Sequence, residues 1–181
     1  MKTPKNLAGF TLVEMLVVMA IFGIIAALSM PSFRDFALRR QISAQVSDLT
    51  SALRLARSEA IKRGREVSLC PTHNPNDVKP RCVPASDWAR GYLIFIGSLQ
   101  GNDQYIRVQQ PYGAGSAIHA RDAAGARSVV GAIRFFPNGV LKDGGARTFV
   151  FAPALPESDK SYKSLSRKVC LSATGVLAPC K

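Results

Sequence analysis

One acidic residue, Glu14, stands alone in a run of apolar residues from Phe10 to Met30. An ionised carboxylate well inside a membrane costs on the order of 3 kcal/mol, so we expect Glu14 to have a cationic partner. No Lys or Arg lies between positions 5 and 34, and the run therefore contains no cation of its own. Proteolysis after Gly9 would create a new α-amine on Phe10, which a neighbouring copy of the chain could present to Glu14.

The apolar run is long enough to cross a bilayer, because as a helix it would rise about 30 Å. Two other interpretations stay open. The run could be a membrane anchor whose acid reaches interfacial water, or it could be an ordinary secretory signal. A secretory signal has an apolar core of roughly 7 to 15 residues followed by small residues, whereas this run is longer and begins with an acid.

The segment from Gly9 to Glu14, with the sequence Gly-Phe-Thr-Leu-Val-Glu, resembles the class III signal of type IV pilins and type II secretion pseudopilins. The resemblance implies that a prepilin peptidase cleaves after Gly9, that the new terminal Phe10 is N-methylated, and that Glu14 aligns incoming subunits. Pro31 lies where such pilins carry a helix-kinking proline. A bend is expected there in any case, because proline removes a backbone donor and clashes with the preceding turn.

Beyond the apolar run, the pattern predicts that the helix continues to about Arg63 and stops at Gly64. Apolar residues recur in steps of four and three on one side, and polar residues occupy the other side. The stripe spans fewer than three heptads, so packing on the chain's own globular domain is favoured over a coiled coil. The apolar positions are Ile42, Val46, Leu49, Leu53, Ala56 and Ala60, and the polar ones are Arg40, Ser47, Ser51, Arg54, Ser58 and Lys62.

After Gly64 the sequence changes to short β-like runs separated by turn residues, which predicts antiparallel sheets. Turn chemistry is concentrated around Asn138-Gly139, Asp143-Gly144 and Thr174-Gly175. We interpret residues 97–131 as loops with one weak strand. The predicted strands are Val67 to Cys70, Tyr92 to Ile96, Tyr105 to Val108, Ile133 to Phe136, Thr148 to Ala152 and Val169 to Ser172.

The 181 residues are expected to form four consecutive regions with no internal repeat. Residues 1–9 are a leader peptide, residues 10–30 a transmembrane and assembly helix, residues 31–64 its amphipathic continuation, and residues 65–181 one β-rich globular domain. The predicted fold class is α+β, with a long amino-terminal helix packed on antiparallel β-sheets. The globular part is large enough to bury a core of its own.

Four cysteines fall as two local couples, Cys70 with Cys82 and Cys170 with Cys180. Four cysteines allow three connectivities, and local pairing is the simplest. Outside the cytoplasm disulfides are favoured over free thiols. A zinc site is the competing interpretation, but the spacings contain no Cys-x-x-Cys knuckle.

Several globular segments resemble the GspH/FimT group of this class. They include the helix end from Arg54 to Gly64, the strand from Val67 to Pro71, and the Trp-x-x-Gly-aromatic strand that starts at Trp88. The resemblance implies a minor pilin or pseudopilin with a helix packed against β-sheets. We interpret Trp88 itself as a core anchor.

Catalysis has little support in the sequence, and we predict no enzymatic activity, no cofactor and no metal site. The two histidines are His73 and His119. His73 lies near Cys70, but a nucleophilic pair needs an orienting third group and a free thiol. Neither a P-loop nor a dinucleotide-binding fingerprint is present in the sequence.

Charge is the remaining signal, with 24 basic and 12 acidic residues and a net charge of +12. Such a surface attracts polyanions with a strong salt dependence. FimT-type minor pilins are associated with DNA uptake. The resemblance to them implies a DNA-binding Gly-Arg-x-Arg motif in the carboxy-terminal tail. The matching residues here, 175–178, read Gly-Val-Leu-Ala, without the arginines. Arg167, Lys168 and Lys181 are the substitute candidates for DNA binding, and a general solvated basic surface is the alternative.

Three functions stay open at this point. The resemblance implies a minor pilin that helps to prime type IV pilus assembly, an H-type pseudopilin of type II secretion, or a DNA-binding pilin of natural competence. The implied partners are other pilins or pseudopilins through the amino-terminal helix, the prepilin peptidase and the inner membrane, with DNA as a further candidate. The implied location is the bacterial inner membrane, with the carboxy-terminal domain in the periplasm, and then the filament.

Overall fold

The structure, a computed structural model, describes residues 10–85, 87–98, 104–113, 115–122 and 125–180, without the side chains at 27–32 and 179. The chain divides into two compact units, Met1–Ala37 and Leu38–Lys181. The first unit contains the start of the long helix. The second contains the rest of that helix together with all of the described strands.

Helix α1 runs from Leu12 to Arg63, which confirms the predicted long helix. It ends at Gly64, whose φ of 60° is the left-handed conformation that commonly closes a helix. Pro31 lies inside α1, but its side chain is outside the described part, and the bend there stays a prediction.

Eight strands form two antiparallel sheets of four, which confirms the α+β class. The first sheet has the order β3-β2-β1-β5, made of β1 Val67–Pro71, β2 Tyr92–Ile96, β3 Gln104–Gln109 and β5 Ile133–Phe135. The second has the order β4-β6-β7-β8, made of β4 Ser116–Arg121, β6 Arg147–Pro153, β7 Arg167–Leu171 and β8 Leu177–Pro179. Helix α2, Lys160–Leu165, lies between β6 and β7 in the chain.

One core joins α1 to both sheets within the second unit. The apolar stripe of the helix packs with inward residues of the first sheet, such as Leu69 and Ile94, and of the second, such as Phe149 and Phe151. Trp88 is fully buried, and its ring meets Phe149 edge to face at 5.4 Å between centroids, which confirms its core role. The predicted polar positions of the stripe, from Arg40 to Lys62, are exposed.

The interpretation of residues 97–131 as loops with one weak strand is wrong. Two strands lie there, since β4 follows β3 and pairs with β6 from Ser116↔Pro153 to Arg121↔Thr148. The β4 sequence is rich in small and polar residues, so its own β propensity is weak. Pairing with the apolar strand β6 and burial of Ile118 and Ala120 determine the structure instead.

Candidate functional site

The start of α1 is set by Thr11, which caps the helix. The backbone N–H of Glu14 donates to Thr11 Oγ1 at 3.3 Å, and the N–H of Met15 donates to the Thr11 carbonyl at 3.3 Å. These bonds satisfy helix donors that otherwise have no partner. The cap places Glu14 in the first turn, where the helix dipole favours a negative charge. Our sequence reasoning did not single out Thr11, although the Thr-x-x-Glu spacing is the pattern of a capping box.

The Glu14 carboxylate is exposed and forms no ion pair among the described residues. The next cation along the helix is Arg34, 20 positions away. That separation is about 30 Å along a helix axis, far beyond the reach of a salt bridge. Among the described residues that follow Glu14 on α1, no cation is therefore within reach of its carboxylate.

Apolar side chains surround Glu14 and are exposed on all sides of the helix. Phe10 is 80% exposed, Leu12 is 77% exposed and Leu16 is 61% exposed. A helix that is apolar all round is normally buried in a core or a membrane. The side chains of residues 10–26 therefore form an exposed apolar surface that is suited to contact with a partner outside this chain. We call residues 10–26 the amino-terminal segment.

Among the described residues, no helix combines the length and the apolar character that crossing a membrane requires.

Gly9 lies outside the described residues, so the cleavage site itself stays a prediction. Phe10 is described and stands immediately before the cap at Thr11. Phe10 and Glu14 are thus four residues apart at the start of α1. An α-amine created at Phe10 would lie at the same end of α1 as the carboxylate.

The two local cysteine couples are both joined in the structure. Cys70 pairs with Cys82, which confirms that disulfide, and the Cα atoms are 5.5 Å apart. Cys170 pairs with Cys180 at 5.2 Å between Cα atoms. The first bond fixes the end of β1 to the loop before β2, and the second fixes β7 to the residue after β8. Cys70 therefore has no free thiol for a nucleophilic pair with His73, and His73 is exposed.

The candidate DNA-binding residues do not form one patch in the described structure. Arg167 and Lys168 are consecutive in β7, so their side chains project to opposite faces of the sheet. Both are exposed, and Lys181 lies outside the described residues. DNA binding by these residues stays a prediction.

The segment that matches the Gly-Arg-x-Arg motif begins at a turn around Gly175 and continues into strand β8. Gly175 has a φ of 74°, and a Cβ there would lie 2.5 Å from the carbonyl oxygen of Gly139. That same Gly139 carbonyl accepts a hydrogen bond from Arg57 Nε at 3.0 Å. Val176 and Ala178 are exposed at the two positions where the motif has arginine, so this segment presents apolar side chains to solvent in place of the motif's cations.

The comparisons with known proteins agree with this geometry. A family model described as "Type II transport protein GspH" matches residues 45–175, and one described as "Prokaryotic N-terminal methylation motif" matches residues 4–30. The second match contains Gly9, Phe10 and Glu14, the three residues that the sequence analysis singled out in this segment.

The curated relatives are similar to this chain over only part of their length. A fimbrial protein of Pseudomonas aeruginosa is 44% identical over 63 residues, which are 35% of this chain and 40% of that protein. The type IV major pilin protein PilE1 of Neisseria gonorrhoeae is 35% identical over 93 residues, which are 51% of this chain and 40% of that protein. The chain thus spans about two fifths of the length of these relatives.

Among solved structures, the type IV minor pilin FimU of Pseudomonas aeruginosa PAO1 has a similar fold. The TM-score is 0.56 and the sequence identity 20%, and the similarity covers 81% of this chain and 92% of that one. At this identity the likeness supports the fold, with a helix and antiparallel sheets in the same arrangement.

Proposed function

Since the chain belongs to the family of the type II transport protein GspH, we propose that it is a minor pilin or pseudopilin subunit that assembles through its amino-terminal helix. In this proposal the subunit is first held in the inner membrane, with residues 65–181 on the periplasmic side. It then enters a type IV pilus and helps to prime its assembly.

The observation that carries the proposal is the unpartnered start of α1. The exposed Glu14 forms no ion pair among the described residues and is surrounded by exposed apolar side chains. A carboxylate in an apolar environment is costly unless it is neutralised. A neighbouring subunit can supply both the apolar cover and the cation.

Processing would create that cation. Cleavage after Gly9 by a prepilin peptidase exposes an α-amine on Phe10, and an N-methylated amine keeps its positive charge. The cap at Thr11 holds Glu14 about one turn further along the helix. Axial displacement of one subunit against the next by about a turn would bring the amine of one helix to the carboxylate of another.

The type II secretion pseudopilus is the second candidate location. The description of the matching family model favours it, because that description refers to type II transport. The similarity to fimbrial and pilin proteins favours the type IV pilus. The same helix mechanism serves both assemblies, and the neighbouring subunits distinguish them.

The experiment is to replace Glu14 by Gln in the full chain and to follow three quantities: the mature mass, the membrane fraction and the amount in sheared filaments. We expect normal cleavage and membrane association, with incorporation reduced roughly ten-fold or more, because one subunit interface loses a neutralised charge. Asp35→Asn is the matched control, since Asp35 is an exposed acid of the same helix outside the apolar run.

Normal incorporation of the Glu14→Gln chain would contradict the proposal. The subunits to which the wild-type chain cross-links then decide between the two assemblies. Cross-linking to pilus subunits supports the type IV pilus, and cross-linking to secretion pseudopilins supports the second candidate.

A further inference from the structure

A cleft lies on the outer face of the second sheet, beneath α2. Its volume is about 540 Å³. The inner face of this sheet carries Phe149 and Phe151 of the main core, whereas Val150 and Ala152 of the same strand form a separate small cluster with Tyr162 of α2. Strand alternation therefore separates the cleft from the core. We call it the α2 cleft.

Two lysines line the α2 cleft and have free ammonium groups. Lys163 comes from α2 and Lys168 from β7, and both are exposed. Neither ammonium group forms a hydrogen bond or an ion pair among the described residues. Lys168 shares its face of β7 with Cys170, which also lines the cleft, while Arg167 projects to the other face.

A buried hydroxyl completes the set of donors. Tyr162 is only 7% exposed and lines the cleft, and its hydroxyl has no hydrogen-bond partner among the described residues. Leaving such a group unpaired carries a desolvation cost. Because this hydroxyl has almost no accessible surface, a ligand in the cleft would accept a hydrogen bond from it after a small movement of the Tyr162 side chain, and that bond would remove the cost.

The acids of the cleft are already engaged. Glu157 accepts hydrogen bonds from Arg121 at 3.0 Å and from Arg127 at 2.9 Å. The Arg127 hydrogen bond holds the pKa of Glu157 below its ordinary value, with Arg121 contributing. Asp122 accepts from the backbone N–H of Ala126 at 3.1 Å. These contacts reduce the repulsion that a bound anion would meet.

Arg121, which also lines the cleft, is engaged as well. Its engagement determines which kind of anion the remaining donors favour. Arg121 donates to the Gly125 carbonyl at 2.8 Å and to Glu157. The free donors are therefore two ammonium groups and one phenol, and no planar guanidinium fork is left for a carboxylate. Lysine acts as a point charge that suits phosphate, whereas bidentate carboxylate recognition is typical of arginine.

We propose that the α2 cleft binds a phosphate-type oxyanion through Lys163, Lys168 and Tyr162. The bound group is a free phosphate or a phosphoryl group of a larger molecule, and both offer the same tetrahedral array of acceptors. This site is separate from the amino-terminal segment and does not depend on how the subunit assembles.

The test is titration calorimetry of the full chain in a neutral detergent with inorganic phosphate. We expect Lys163→Gln and Lys168→Gln each to weaken binding roughly ten-fold, as for other charged hydrogen bonds. Lys160→Gln and Arg167→Gln are matched controls, one on α2 and one on β7, outside the cleft lining. We expect these controls to change affinity by less than about two-fold.

Tyr162→Phe separates ligand binding from structure. Since the hydroxyl has no partner in the described structure, its removal is expected to leave the thermal midpoint unchanged and to weaken phosphate binding several-fold. Sodium acetate and a thymidine dinucleotide are the comparison ligands. Stronger binding of phosphate than of the dinucleotide indicates a free or terminal phosphate, and the reverse indicates a phosphodiester.

Three results would overturn the proposal. The first is no heat of binding at millimolar phosphate, and the second is acetate binding as tightly as phosphate. The third is equal weakening in the cleft variants and the controls, which would indicate a general effect of surface charge.

Discussion

Two parts of one helix, α1, differ in the fate of the same kinds of side chain. In the amino-terminal segment Leu16 is 61% exposed, whereas Leu49 further along the helix is fully buried. The sequence is apolar in both places. The difference is that Leu49 lies against the sheets of its own chain, while Leu16 has no such cover in the described structure. Exposed apolar surface of this extent marks an interaction surface.

Polar groups show the same contrast. Gln41 donates to Ser116 Oγ at 3.0 Å and to the Gly113 carbonyl at 2.9 Å, so the packed part of α1 is fixed to the start of β4. Gln45 donates to the same Ser116 Oγ. Glu14 in the amino-terminal segment forms no ion pair with the described residues. The packed part of α1 thus has polar partners within the chain, and we infer that Glu14 finds its partner on another chain.

The largest expected effect concerns processing of the amino-terminal segment. Replacing Gly9 by Leu should block cleavage, because a bulky side chain would occupy the site where the peptidase acts. The measurement is the mass of the membrane-bound chain, which should stay at that of the uncleaved protein. Ala8→Leu serves as the control for a neighbouring position, and a normal mature mass in the Gly9 variant would refute the assigned cleavage site.

A matched pair of leucines measures the contrast in packing. Leu49→Ala should lower the free energy of unfolding by about 2–5 kcal/mol, since it opens a cavity in the core. Leu16→Ala should change it by less than about 0.5 kcal/mol, because the side chain is exposed. Denaturant titration of the full chain in detergent checks both values. Equal losses would show that the amino-terminal segment is packed on the domain.

A matched pair of glycines extends the contrast to the backbone. Gly175→Ala should destabilise by about 1–3 kcal/mol, because φ is 74° and the new Cβ would collide with the Gly139 carbonyl. Gly23 in α1 has no atom within 4 Å of its Cβ position. Gly23→Ala should therefore be neutral or favour the helix slightly. Thermal unfolding curves compare the two, and a tolerated alanine at 175 would contradict the turn geometry.

The smallest effect should come from an exposed ion pair of the domain. Arg127 and Arg121 lower the pKa of Glu157 from its ordinary value of 4.5. A lowered pKa stabilises the folded state above pH 4.5, and this contribution is lost as pH falls through the folded pKa. Glu157→Gln should thus lower the thermal midpoint slightly at pH 7 and make no difference in strong acid. A difference that persists in strong acid would indicate lost packing instead.

Much of the fold was predictable because its signals are local. The apolar steps from Ile42 to Ala60 predict the buried face of α1, and the strongly apolar strands, such as Tyr92 to Ile96, match the structure closely. The local pairing of Cys70 with Cys82 needed only their short separation and is confirmed.

What escaped prediction depends on distant partners. Strand β4 is weak by composition and is defined by its pairing with β6. The short helix α2 is stabilised by Asp159, whose carboxylate accepts from the Ser161 N–H at 2.7 Å, and by burial of Tyr162. The α2 cleft follows from both elements, so its lysines could be found in the sequence only as a basic group. The projection of Arg167 and Lys168 to opposite faces of the sheet could be inferred only after both were assigned to strand β7.

The central claim is that Glu14 of one subunit neutralises the Phe10 amine of another, and zero-length carbodiimide cross-linking of assembled filaments tests it most directly. Mixed isotope-labelled and unlabelled subunits show by mass spectrometry whether a link joins two chains. The ion pair of Lys142 with Glu66, 2.8 Å apart, is the internal positive control within one chain. We predict a link between the peptide that contains Glu14 of this chain and the amino-terminal peptide of a neighbouring pilin or pseudopilin subunit. Coupling of Lys142 to Glu66 without any link between chains at Glu14 would contradict the claim.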